Sequence, residues 1–118
     1  MIQDVFCKIL NGELKAEVVY KDDEFWVIKD INPQAPVHLL IIPIQHFTSL
    51  EDFAHHGEHD GLLGRALVVA HKVAHQVGIA EKGYRLIINE GEHGEKLVPH
   101  LHIHLLGEKR LGPKLIKS

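Results

Sequence analysis

The pattern of apolar and polar positions divides the chain into short elements. Asp4-Val5-Phe6-Cys7-Lys8-Ile9-Leu10 puts apolar side chains at 5, 6, 9 and 10, the spacing of one helical face, and Asn11-Gly12 ends it. Glu17 to Tyr20 and Phe25 to Lys29 are β-rich runs, and Lys21-Asp22-Asp23-Glu24 between them reads as a hairpin turn. Two prolines mark Asn32-Pro33-Gln34-Ala35-Pro36 as a loop. Val37-His38-Leu39-Leu40-Ile41-Ile42 is short and almost continuously apolar, the signature of a central strand, and Pro43 stops it.

From Glu58 to Val77 the period changes. Apolar residues at 62, 63, 66, 67, 70, 73, 74 and 77 form one stripe at helical spacing, closed by Gly78. Tyr84 to Asn89 reads as a fourth strand, Glu90 to Lys96 as a polar loop bearing Gly91 and Gly94, and Val98 to Leu106 as the last strand. The order helix, β, β, β, helix, β, β predicts an α+β fold: a five-stranded, mostly antiparallel sheet with one long helix and a short N-terminal helix.

Size and charge narrow the function classes. The 118 residues make one domain, 1–118, which buries roughly two-thirds of its unfolded surface without staples. Thirteen Lys+Arg against sixteen Asp+Glu give −3, with the signs mixed along the chain, so no nucleic-acid partner is expected. No segment approaches the ~18 apolar residues of a membrane span, and Asp4 and Lys8 interrupt any signal-peptide core. The single cysteine, Cys7, excludes an intramolecular disulfide and favours a reducing, cytoplasmic setting.

Eleven histidines remain to be explained. His55, His56 and His59 fall in a polar stretch and read as solvated. His71 and His75 are four apart on the long helix, near Gly64 and Val68 and away from the apolar stripe, which suits a surface or subunit-interface role. The zinc-protease pattern at that spacing needs Glu after the first His, where this chain has Lys72. His100-Leu101-His102-Ile103-His104-Leu105-Leu106 differs in kind. In an extended chain its three imidazoles share one face while Leu101, Ile103 and Leu105 share the other. A row of exposed histidines on an edge strand is the bland alternative. Burying such a row as mere packing is expensive, because each unpartnered imidazole group costs roughly 1–3 kcal/mol.

Two chemistries fit three imidazoles on one face. His-x-His with Glu108 four residues on resembles the metal motif of the cupin barrels, but those domains are nearly all β and the long helix weighs against it. The other is nucleophilic catalysis by an imidazole whose neighbours orient it and shuttle protons.

Here the chain resembles the histidine-triad (HIT) nucleotide-binding family, most closely its Hint branch. The residues that carry the likeness are His100 to Leu106, Asp30-Ile31-Asn32-Pro33-Gln34-Ala35-Pro36-Val37-His38 upstream, and Tyr84-Arg85-Leu86-Ile87-Ile88-Asn89 between. Phe6-Cys7-Lys8-Ile9 and Leu111-Gly112-Pro113 fit at the two ends, so the likeness spans essentially the whole chain. It implies a homodimer in which two five-stranded sheets join into one, and a site for a purine nucleoside monophosphate. By that resemblance His102 is the nucleophile that attacks the α-phosphorus, His100 and His104 flank it, and His38 completes the set. Asp30 accepts hydrogen bonds from the ribose; Phe6, Ile9, Ile28 and Ile31 wall the base; Asn89, Lys96 and Val98 lie on the phosphate side. Taken singly, Asp30 reads equally as a loop cap, and Phe6, Ile9 and Ile28 as core.

The chain departs from the family pattern at Glu95-Lys96-Leu97-Val98-Pro99, where the branch carries Gly-Gln-Ser or Gly-Gln-Glu and then an aromatic residue. Lys96 can replace the missing donors with a charge, whereas Glu95 would repel a phosphate if it pointed inward. Some bacterial relatives hold structural zinc with an N-terminal Cys-x-x-Cys and two histidines. Here the corresponding residues are Asp4, Cys7, His46 and His100, a set that can still be tetrahedral. The sequence therefore reads as a hydrolase of purine nucleoside 5′-phosphoramidates or related adenylates, working through a nucleotidyl-histidine and requiring no cofactor. Structural zinc, a dinucleoside polyphosphate hydrolase and a non-catalytic nucleotide-binding dimer stand as alternatives.

Overall fold

Val37–Pro43 (β3) is the strand on which both faces of the molecule are built, and from His38 onward every residue of it is buried. The structure is a computed structural model that describes residues 3–59 and 61–112, with the backbone alone at Glu58. β3 lies between Phe25–Lys29 (β2) and Ile103–Gly107 (β5). Val18–Lys21 (β1) and Tyr84–Ile87 (β4) form the two edges, in the order β1-β2-β3-β5-β4. Every neighbouring pair is antiparallel. The β1–β2 turn is closed by Asp22, whose Oδ1 accepts the amides of Glu24 and Phe25 at 2.7 and 2.8 Å. An aspartate can take the place of a backbone carbonyl in this way.

The alternation of β3 feeds two cores. Leu39 and Ile41 face the long helix Leu62–Gln76 (α3), with Val27, Ile103 and Leu105 beside them and Ala66, Val69, Ala70, Val73 and Ala74 above. Leu40 and Ile42 face the opposite way, with Ile28, and are covered by Phe6 and Ile9 of the short helix Val5–Leu10 (α1). Asp4 caps α1 by accepting the Cys7 amide at 2.8 Å. With both faces covered, a continuous apolar run is what the strand requires.

The sequence pattern differs from the structure at four places. The long helix begins at Leu62 rather than Glu58, after a 3₁₀ turn at Gly57–His59. Its buried stripe takes in Val69 and leaves Leu67 49% exposed, because the helix meets the sheet slightly rotated from the pattern's centre. A short helix, Leu50–Ala54 (α2), stands in the polar stretch that periodicity left blank. Its signal was Ser49-x-x-Asp52: Ser49 Oγ accepts the Asp52 amide, and Asp52 Oδ2 accepts the Thr48 amide, at 3.0 and 2.9 Å. The fourth and last strands are shorter than expected, and the latter starts at Ile103 instead of Val98. Pro99 has no amide to give a ladder, and the Leu101 amide goes instead to the carbonyl of Phe47 at 2.7 Å. Pro113 of the C-terminal motif lies outside the described residues.

Phe47 is fully buried, and Phe53, His56 and His59 meet its ring edge-on at 5.0–5.6 Å. So His56 and His59 are half-buried props of a core aromatic, while His55 alone of that trio is solvated. Phe47→Ala removes a buried ring and loosens the segment that carries the histidine row; urea unfolding should show a loss of about 3–5 kcal/mol.

Candidate functional site

The register decides which side chains meet. β3 pairs Leu40 with His104 and His38 with Leu106, so His38 and His104 lie on the α1 face of the sheet, over Ile28, Leu40 and Ile42. His104 is the one triad histidine inside the ladder; His100 ends a bend over 98–100, where its amide bonds to the Val98 carbonyl at 2.8 Å, and His102 lies between that bend and β5. The alternation nonetheless persists through the segment, because Leu101, Ile103 and Leu105 all enter the α3 core. His100 is fully buried and His102 is 8% exposed, so the row is not a surface decoration.

Hydrogen bonds assign the protons. His102 Nδ1 lies 2.7 Å from the carbonyl of His100, which can only accept, so Nδ1 carries the hydrogen and Nε2 keeps its lone pair. The Gln34 amide donates to His38 Nδ1 at 3.0 Å, which puts the His38 proton on Nε2. That Nε2–H faces His104 Nδ1 at 2.9 Å and Asp30 Oδ2 at 3.4 Å, so neutral His104 in turn carries its proton on Nε2. The rings of His102 and His104 meet edge to face at 5.0 Å, and those of His38 and His104 lie 5.2 Å apart. Phe6 stands edge-on to His102 at 4.9 Å.

Burial sets the charge state. It is the largest cause that holds His38, His100, His102 and His104 below the ordinary imidazole value, and no carboxylate reverses it. His104 goes furthest, to about 4, because the neighbouring imidazoles of His102 and His38 also disfavour its charge. For His102 the carbonyl of His100 pulls the other way, and the ammonium of Lys96 adds to burial. The cluster at neutral pH is therefore uncharged, with a free nucleophilic nitrogen at His102.

The other expected residues divide. Ile9 and Ile28 are buried beside Phe6 and Val98 in the cluster under the histidines, whereas Ile31 is 88% exposed and stands off it. Asp30 caps the loop, as one reading of the sequence expects, with Oδ1 accepting the Asn32 amide at 2.8 Å, and its Oδ2 faces His38 Nε2 at 3.4 Å. Asn89 spans the polar 90–96 loop, its side-chain amide donating to the Gly94 carbonyl at 2.8 Å. Glu95 is exposed and adopts a left-handed backbone, φ 56°, so the carboxylate does not enter the site; Lys96 is mostly buried. Gln34, through its amide, and Phe47, through its carbonyl, position the site and were invisible in the sequence, because backbone groups leave no residue-type signal.

Asp4, Cys7, His46 and His100 also converge, each with a ligand atom within 4.8 Å of the others. The His100 and His46 Nε2 atoms lie 3.2 and 2.9 Å from the carbonyls of Pro43 and Pro99. His46 Nδ1 is thereby left with a lone pair 3.9 Å from Cys7 Sγ, whereas His100 Nδ1 lies 3.7 Å from Cys7 Sγ and 3.2 Å from Asp4 Oδ2. A carboxylate, a thiol and two imidazoles with carbonyls behind them are a donor set that suits a tetrahedral zinc ion.

A match to the HIT domain family spans residues 11–111. The chain belongs to that family. It is 47% identical over 113 residues to the purine nucleoside phosphoramidase of Escherichia coli, covering 96% of this chain and 93% of that protein. In structure it is similar to a HIT family hydrolase from Clostridium thermocellum, at TM-score 0.90 and 45% identity over 98% and 99% of the two chains. It is also similar to a histidine triad protein from Clostridium difficile, at TM-score 0.89 and 37% identity over 97% and 99%. These full-length matches agree with the α+β fold and five-stranded antiparallel sheet of the HIT domain described above.

The depressed imidazoles make a stability prediction. Between about pH 6.5, where the unfolded chain's histidines protonate, and pH 4, the unfolded state binds protons that folded His104 refuses, so stability falls as pH falls. Thermal melts should lose midpoint steadily from pH 6.5 to 4.5, above the carboxylate range, and His104→Gln should flatten that slope.

Proposed function

We propose that this chain is a hydrolase that cleaves purine nucleoside 5′-phosphoramidates or related adenylates to the nucleoside monophosphate. The observation that carries the reading is the 2.7 Å bond from His102 Nδ1 to the His100 carbonyl, which leaves Nε2 unprotonated beside a proton-bearing His104 and His38. In the first step Nε2 attacks the α-phosphorus, the Nε2–P bond forms, and the P–N bond breaks with its electron pair going to nitrogen. The leaving amine needs a proton. A docked phosphate supplies the means: its negative charge opposes burial and raises the imidazoles' affinity for a proton, which arrives with the substrate and passes to the amine. Water then attacks phosphorus, the Nε2–P bond breaks, and the water's proton replaces the one given up. Splitting one displacement into two is what an imidazole nucleophile contributes.

Phe6, Ile9 and Ile28 are suited to wall the base, Asp30 Oδ2 to accept from ribose hydroxyls, and Asn89, Lys96 and Val98 to border the phosphates. Phosphoramidate is favoured over dinucleoside polyphosphate by the likeness to the Escherichia coli phosphoramidase. Incubation with adenosine phosphoramidate should give a transient mass adduct of one nucleotidyl group, absent in His102→Ala, with turnover down roughly 10³-fold or more. Wild-type turnover in that variant would sink the reading. Nucleotide binding without product would favour the non-catalytic alternative.

A homodimer fits the same reading. β4 is an edge strand, and the outward face of α3 beside it carries Leu67 and Val68, 49% and 68% exposed. His71 and His75 continue that face, and His71 Nδ1 lies 2.6 Å from the Tyr84 hydroxyl of β4. A second copy placed there would join the two sheets through β4. The lone Cys7 and the absence of a helix long and apolar enough to cross a membrane, among the described residues, suit a cytoplasmic protein. Sedimentation should give a dimer that Val68→Glu converts to monomer; an unchanged dimer would place the interface elsewhere.

A further inference from the structure

Two histidines outside the row face each other on α3. His71 and His75 are both exposed and one helical turn apart, and their Nε2 atoms lie 3.2 Å from each other. The rings stand nearly perpendicular, at 88°, with centroids 4.7 Å apart. Their helix neighbours lean the other way, toward β1. The Lys72 ammonium sits over the Tyr20 ring at 5.5 Å, and the Gln76 side chain donates to the Val19 carbonyl at 2.8 Å. His71 instead reaches β4, where its Nδ1 meets the Tyr84 hydroxyl at 2.6 Å. The Lys72 charge is thereby kept off the pair.

The facing nitrogens set a chemical condition. Two lone pairs pointed at each other repel, so one Nε2 carries a hydrogen while the pair stands alone. A dication between them removes the conflict, because it accepts both lone pairs. At the ~2.0–2.1 Å of a zinc–imidazole bond, nitrogens 3.2 Å apart subtend roughly 100° at the ion, close to a tetrahedral angle. Tyr84 supplies the outer contact that such a ligand uses. With His71 Nε2 given to the ion, the ring hydrogen sits on Nδ1 and the Tyr84 oxygen accepts it. Position helps as well: His75 lies in the last turn of α3, where unpaired carbonyls leave a partial negative charge that favours a cation.

We propose that His71 and His75 form a binding site for an imidazole-preferring divalent transition ion, such as Zn²⁺ or Ni²⁺. Tyr84 orients His71, and water fills the remaining coordination positions. The pair carries no carboxylate, so the oxygen-seeking ions Mg²⁺ and Ca²⁺ are not held. This site is separate from the group of Asp4, Cys7, His46 and His100. That group contains Cys7 of α1, which covers one face of the sheet, whereas the pair stands on α3, which covers the other. It adjoins the face assigned above to a second copy, yet both ligands come from one chain, so the ion does not depend on association.

The test uses the metal-stripped, full-length protein. Substoichiometric Ni²⁺, which is paramagnetic, should broaden the amide signals around His71, His75 and Tyr84 in a nitrogen–proton spectrum, and Mg²⁺ should broaden none. Calorimetry with Zn²⁺ should lose one ion per chain in the double variant His71→Ala, His75→Ala, whose melting without metal should match that of the parent. Each single variant should weaken this site by more than the roughly 10–100-fold typical of losing an outer partner. Tyr84→Phe, which keeps the ring and removes the oxygen, should weaken it about tenfold. Broadening around residues 71–75 that survives in the double variant, or no loss of bound Zn²⁺ there, would overturn the site. One ion lost per two chains would overturn its confinement to a single chain, and an unchanged affinity in Tyr84→Phe would remove Tyr84 from it.

Discussion

The hydrogen bond from His102 to the carbonyl two residues before it holds the rest of the site in place. It spans 2.7 Å within buried chain, and because a carbonyl only accepts, it settles which ring nitrogen is free. The bond exists because residues 98–102 run outside the ladder: Pro99 has no amide, and the Leu101 amide is taken by Phe47. Had the strand begun at Val98, as alternation suggests, the His100 carbonyl would face a neighbouring strand or solvent. The short strand β5 thus decides how the His102 ring is oriented, and the fully buried Phe47 serves the histidine row as much as the core.

A second constraint is that four imidazoles are packed together out of water. Their burial would be unfavourable if each nitrogen lacked a partner. Instead the chain of bonds from the Gln34 amide through His38 to His104, and the carbonyls facing His100 and His102, satisfies them in the neutral form. Neutrality is also what nucleophilic catalysis requires, so the packing solution and the chemical requirement coincide. The surrounding charges are few and specific: Asp30 and Asp4 on the carboxylate side, Lys96 on the cationic side. A neutral cluster between them is polarised by whichever charge the substrate brings.

Much of this was legible in the chain. The apolar run of β3 announced a strand covered on both faces, the period of α3 gave the long helix, and two-residue spacing separated three histidines from eight others. The motifs that carried the resemblance come together in the fold, with His38, His102 and His104 in one row of neighbouring rings. Ile31 is 88% exposed and stands outside the buried group of Phe6, Ile9 and Ile28, a difference the chain did not announce because an apolar residue in a loop carries no sign of which way it points. His56 and His59 were misjudged for the converse reason: polar neighbours in sequence concealed an aromatic neighbour, Phe47, in space.

The division has a physical basis. Sequence by itself determined what depends on local periodicity and side-chain type: the order of the five strands, α1 and α3, the shared face of His100, His102 and His104, and the presence of imidazoles beside a glycine-bearing loop. Tertiary structure alone decided what depends on backbone groups brought together from distant segments. That includes the tautomer of each histidine in the row and the start of β5. Carbonyls and amides are the same in every residue, so their pairing leaves no trace in residue type and is settled only when the chain folds.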